Sequence, residues 1–98
     1  MSQAAYFVID VKVTDPEGMK PYQARVAETI KPFGGERLVY GGALDVLEGQ
    51  GPNGLVVIVR FPSMAQAHAW HDSPAYQAII GHRLASSESH AYLVQGEA

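Results

Sequence analysis

A chain of 98 residues with a net charge of −3 and no cysteine excludes several functions at once. It has no disulfide framework, thiol nucleophile or thiolate metal site, and without a run of Lys or Arg it lacks the electrostatic drive for binding nucleic-acid phosphates. Its residues are 47% hydrophobic and only 17% charged, against a usual charged share of ~25%. A single domain over residues 1–98 is expected, burying about 60–65% of its unfolded surface around a thin core.

The opening MSQAAYFVIDVK has no basic start, and its apolar run is short before Asp10. No signal peptide or membrane span is expected there, and a cytoplasmic location is the default. Tyr6 to Val13 reads as a strand: Phe7, Ile9, Val11 and Val13 share one face, Tyr6, Val8, Asp10 and Lys12 the other. Asp15 and Pro16 then suit the cap and first position of a helix. Met19, Tyr22, Val26, Ile30 and Phe33 form its apolar stripe. With Pro21 inside, either the regular helix begins near that residue or a short turn from Pro16 bends there. Pro32 and Gly34-Gly35 end the element.

Glu36 to Tyr40 is expected to be a short strand, Gly41-Gly42 a reversal or bulge, and Ala43 to Glu48 a further extended segment making a hairpin-like pair. Gly49 to Gly54 is a loop rich in breakers. Leu55 to Phe61 is the strongest strand, apolar on both faces, and Pro62 stops it. Ser63 with Gln66 makes a capping box for a helix to about His71. Ser73-Pro74 opens a further turn or two carrying Tyr76, Ile79, Ile80 and Leu84 inward. Ser89 to Gln95 is the last strand, alternating His90, Tyr92 and Val94 against Ala91 and Leu93.

This order suggests an α+β fold, a ferredoxin-like split βαβ plait with an antiparallel sheet and both helices on one face. The other face should then be polar, yet both faces of Leu55-Val56-Val57-Ile58-Val59 are apolar, and Tyr6 and Val8 lie opposite the helix-facing set of the first strand. Leaving several such side chains wet forfeits several kcal/mol at ~25 cal/mol per Å². A homodimer closing the two open faces on each other is therefore expected.

Taken together, VTDPEGMKPY, FGGERLVYGG, VLEG, VVIVRFPS, AHAWHDSPAYQ and the terminal AYLVQGE resemble the family called domain of unknown function 1330, over about residues 6 to 97. His71 stands where an aromatic such as Tyr is common, Tyr40 where a basic residue often precedes Gly-Gly, and Pro21 is unusual in the first helix. The resemblance implies a dimeric α+β barrel and no agreed reaction. Barrels of this architecture include cofactor-free oxygenases, haem-degrading proteins, isomerases and stress-response proteins, among which fold does not choose.

Several residues could carry chemistry. His68, His71 and Asp72 are neighbours on one helix and could hold zinc or iron; with no third separated ligand they read as a solvated face, and neither metal nor cofactor is expected. Trp70 and Tyr76 pack the core or wall a pocket. Arg83, beside His82, either complements a helix C-terminus or turns into the cleft to pair with a carboxylate. Arg60, in a strand read as buried, needs a partner, with Asp10 the candidate. Tyr22 belongs to the core unless its phenol reaches a cavity as proton donor. His90, with Tyr92 on the same face, is the candidate general base.

Three functions are consistent with these residues. The first is a dimer binding a small aromatic or acidic molecule between sheet and helices through Arg83, Arg60, Trp70 and Tyr92. The second is a cofactor-independent oxygenase or isomerase moving protons through His90 or Tyr22. The third is an interaction protein with no ligand.

Overall fold

The computed structural model describes residues 3–97. The described elements are β1 (Ala5–Val13), α1 (Pro16–Ile30), β2 (Glu36–Tyr40), β3 (Leu55–Phe61), α2 (Met64–His71), α3 (Pro74–Ser86) and β4 (Ser87–Gln95), with a single 3-10 turn at Lys31–Phe33. The strands form one antiparallel sheet in the order β2-β3-β1-β4. The helices lie on one face, giving the expected ferredoxin-like plait. No helix among the described residues is long and apolar enough to cross a membrane.

Strand alternation decides which side chains the helices cover. Ala5, Phe7, Ile9 and Val11 of β1 are buried with Val59 and Phe61 of β3, while Tyr6, Val8 and Asp10 stay half-exposed on the outer face. From the helices, Met19, Tyr22, Ile30, Ala67, Trp70, Tyr76 and Ile79 complete the core. Trp70 is its centre: its ring lies 4.1 Å from Tyr76, 4.9 Å from Phe7 and 5.2 Å from Phe61. Its indole N–H donates to Thr29 Oγ1 at 3.0 Å. Burying one large apolar side chain is worth about 1.5–3 kcal/mol, so this aromatic cluster carries much of a small domain's stability.

Local chemistry sets the boundaries. Ser63 Oγ accepts the Gln66 amide, starting α2, and Ser73 Oγ accepts the Tyr76 amide, starting α3. Ser73 also donates to the Trp70 carbonyl at 2.7 Å, tying the two helices at their break. Gly34, at φ 75°, closes the turn after α1 in the left-handed region that glycine adopts freely. Gly54 is needed for a different reason. A Cβ there would lie 2.0 Å from the Val11 carbonyl oxygen, so only glycine lets the chain enter β3 alongside β1.

Four expectations are corrected. Asp15 holds the N-cap position of α1, but its side chain makes no capping hydrogen bond. The helix runs without a break from Pro16 through Pro21. Ala43 to Glu48 is not a strand: residues 41–54 form a largely exposed connection, in which Gly41, Gly42, Gly49, Gly51 and Pro52 disfavour a regular strand and no apolar face is buried to hold one. α3 is 13 residues rather than a turn or two, and it buries Tyr76, Ile79, Arg83 and Ser86, leaving Leu84 60% exposed.

Candidate functional site

A cavity of about 40 Å³ lies between the sheet and the helices, lined among others by Phe7, Tyr22, Arg37, Tyr40, Trp70 and Arg83. A water needs roughly 10–15 Å³ of such volume, so the space takes about three waters or the head of a small molecule. A second lobe of about 40 Å³ continues past Tyr40, between α1 and the start of β3, and shares Val11, Tyr22, Val26, Tyr40 and Val57 with the first.

Arg83 is the unusual group in this lining. It is 3% exposed. One guanidinium nitrogen donates to the Ser89 hydroxyl. Its Nε, fully buried, meets no hydrogen-bond partner among the described residues. The guanidinium lies 5.6 Å from the centre of the Tyr22 ring, too weak a contact to replace a counter-ion. Two arginines, Arg37 and Arg83, line the cavity, and no Asp or Glu does among the described residues. A buried charge without a partner is costly, so the fold holds an anion-seeking group in a chamber lined mainly by apolar side chains.

Tyr22 and Tyr76 meet hydroxyl to hydroxyl at 2.9 Å beside this group. Burial pushes the Tyr22 phenol well above its ordinary range, and the neighbouring Tyr76 pushes the same way, outweighing Arg83. A phenol so placed stays protonated at neutral pH and serves as a hydrogen-bond donor, not as a base. Trp70, Tyr22 and Arg83 are therefore brought together at one chamber.

Arg60, Tyr92 and His90 are not. All three are exposed on the outer face, where Arg60 stands opposite Tyr6 and Glu36. The expectation of a buried Arg60 paired with Asp10 fails on both counts: Arg60 has the outward parity of Val56 and Ile58, and Asp10, on the same face, stands opposite Val56, four residues along β3 from Arg60. Toward β4, Asp10 sits opposite His90, with its carboxylate 3.0 Å from the His90 Nδ1. It also accepts the backbone N–H groups of Asn53 and His90, each at 3.1 Å. Asp10 and His90 with Val8, Ile9, Pro52, Val56 and Tyr92 border a shallow groove of about 220 Å³.

The Asn53 amide does most to hold the Asp10 carboxyl below its ordinary value; burial opposes it, and the His90 contacts each add a smaller lowering effect. A carboxyl lowered in the folded state stabilises it above the unfolded pKa, and that gain is lost as pH falls through the folded value. Asp10→Asn is thus expected to lower the urea midpoint at neutral pH. The deficit should shrink as pH falls below about 4, where free carboxyls protonate, and vanish once both states are protonated. A deficit unchanged down to pH ~2 would show that charge is not its source.

His68 is exposed, and His71 sits 3.7 Å from Asp72 at the surface. Among the described residues no three His, Asp or Glu side chains converge as metal ligands would. Sequence reasoning missed Arg37 and Tyr40, whose side chains stack at 4.1 Å on the edge strand. It also missed Thr29, the partner of Trp70. Simple alternation places Arg37 and Tyr40 on opposite faces; a bulge at Leu38 puts both on the inner one.

The four-stranded sheet with helices on one face and a chamber between the layers defines a ferredoxin-like α+β protein. Among solved structures, the RPA0582 protein of unknown function from Rhodopseudomonas palustris superposes with a TM-score of 0.77 at 17% identity, over 100% of this chain and 85% of that one. SnoaB, a cofactor-independent oxygenase from Streptomyces nogalater, gives 0.70 at 17% identity over 99% and 96%. A dimeric ferredoxin-like protein of unknown function from Thermobifida fusca gives 0.62 at 10% over 97% and 92%. At these identities the likeness is one of fold. No curated protein matches the chain. The chain belongs to the family described as Domain of unknown function (DUF1330), whose model matches residues 4–97.

Proposed function

We propose that this protein binds a small carboxylate-bearing molecule with an apolar or aromatic body in the chamber between sheet and helices. The observation that carries the reading is the buried Arg83 guanidinium, lacking a carboxylate partner and facing an apolar wall. A carboxylate would accept from the terminal nitrogens of the guanidinium, the two-pronged geometry in which such pairs are strongest. The ring of the ligand would lie against Trp70 and Phe7. Tyr22, held protonated, would donate to the bound molecule.

Trp70, the only tryptophan, lines the chamber and reports on its contents. Benzoate is expected to change its fluorescence saturably and to bind at least tenfold more tightly than benzyl alcohol, its neutral counterpart. Equal affinities, or no saturable change with either, would remove the reading. Proton-transfer chemistry is less well supported, since His90 lies outside the chamber and Tyr22 is a poor base.

The outer face is read as the contact with a second copy of the chain. Val8 pairs across the sheet with Ile58 and Tyr92, and Tyr92 and Val94 are 58% and 48% exposed. The dimeric Thermobifida fusca neighbour is consistent with this. Sedimentation at micromolar concentration should give twice the 10.6 kDa chain mass; a stable single chain would overturn it. The exposed Leu44, Val46 and Leu47 in the 41–54 connection are the feature that best supports a further protein contact instead.

A further inference from the structure

The chamber has two lobes that share five bordering side chains, Val11, Tyr22, Val26, Tyr40 and Val57, and of these only Tyr40 is exposed. Tyr40 borders both lobes, yet it is 54% exposed, so little core packing holds it in place. It ends the edge strand β2, which pairs only with β3. Gly41 follows at φ 63°, in a conformation that leaves the chain free to reverse. The Arg37 guanidinium lies 4.1 Å from the centre of the Tyr40 ring, a weak attraction at an exposed site.

The second lobe differs in character from the first. Its walls are Val11, Val13, Met19, Val26, Leu55 and Val57, with Gln23 as the polar exception apart from the two tyrosines. Arg83 borders only the first lobe. One end of the combined space therefore suits an anion and the other a hydrocarbon. The two share a border, and Tyr40 is the side chain on it that is least held by packing.

We infer that the second lobe is an apolar subsite for the tail of the ligand and that Tyr40 sets the length of carboxylate the protein accepts. This rests on the reading of Arg83 as the carboxylate anchor. With the ring in place, a short acid fills the first lobe alone. With the ring turned outward, the lobes join and a medium-chain or aryl-substituted fatty acid spans them. Each buried CH₂ then adds about 0.8 kcal/mol, roughly a fourfold gain in affinity per carbon until the lobe is full.

Titration of Trp70 fluorescence with butanoate and octanoate tests this on the intact protein. In Tyr40→Ala the ratio of octanoate to butanoate affinity is expected to rise at least tenfold over wild type. In Leu55→Phe, which narrows the second lobe from a partly exposed position and leaves the first untouched, that ratio should fall at least threefold. Ratios unchanged in both variants would overturn the subsite while leaving the Arg83 anchor standing. Failure of wild type to bind butanoate or octanoate at all would remove the anchor, and the subsite with it.

Discussion

Replacing Arg83 with methionine is expected to abolish the preference for carboxylates while leaving the fold as stable as before or more so. The side chain is 3% exposed, its Nε has no partner among the described residues, and Ser89 gives it one hydroxyl. Methionine fills a similar volume with flexible apolar atoms. Exchanging buried ionic groups for well-packed apolar ones is often neutral or stabilising by about 1–4 kcal/mol. For a chain of this size each kcal/mol moves the melting temperature by about 4–8 °C. Losing a charge-assisted hydrogen bond costs about 1.5–3 kcal/mol, so benzoate affinity should fall roughly 10- to 100-fold. Arg83→Lys should keep part of the charge effect and lose the fork geometry. A clear drop in melting temperature for Arg83→Met, with benzoate binding intact, would make Arg83 a structural residue and defeat the proposed site.

Trp70→Ala should have the largest effect on stability of any single change in this chain. Trp70 is 1% exposed and touches rings from both strands of the inner face and from α3. Truncating such a residue costs about 3–5 kcal/mol through lost transfer energy and the cavity left behind. It would also leave the Thr29 hydroxyl, which donates to the Val26 carbonyl at 2.7 Å, without the indole it accepts from. Total stabilities run from about 5 to 15 kcal/mol, and a chain of 98 residues belongs toward the lower end. The variant should be largely unfolded near room temperature or show a urea midpoint lowered by roughly 2 M or more. Trp70→Phe keeps most of the packing and should lose only about half as much. Circular dichroism in urea would decide it; a Trp70→Ala midpoint within about 0.5 M of wild type would mean the aromatic cluster is not the keystone of the core.

Much of this fold was readable because its signals are local. The alternation of Phe7, Ile9 and Val11 against Tyr6, Val8 and Asp10 depends only on the two-residue period of a strand. Ser63 and Ser73 announce helix starts because a hydroxyl can satisfy an amide that the helix itself cannot. The candidate site was half legible. Trp70, Tyr22 and Arg83 were singled out from their residue types, but the sequence did not say that they share one chamber. Leu84 was misplaced because α3 spends inward positions on Arg83 and Ser86, which a search for apolar periodicity passes over. Arg37 and Tyr40 were invisible because the bulge at Leu38 changes the facing of everything after it.

Residue order alone determined the four strands of the sheet, the inner face of β1, the starts of α2 and α3, and an apolar outer face that asks for cover. These follow from backbone periodicity and capping, which act over a few residues. Only the tertiary structure decided between two arginines. Arg60 takes the solvent side through the parity of β3, and Arg83 is carried into the interior by the rotation of α3 over the sheet. That choice depends on how two distant elements pack, and no local pattern encodes it.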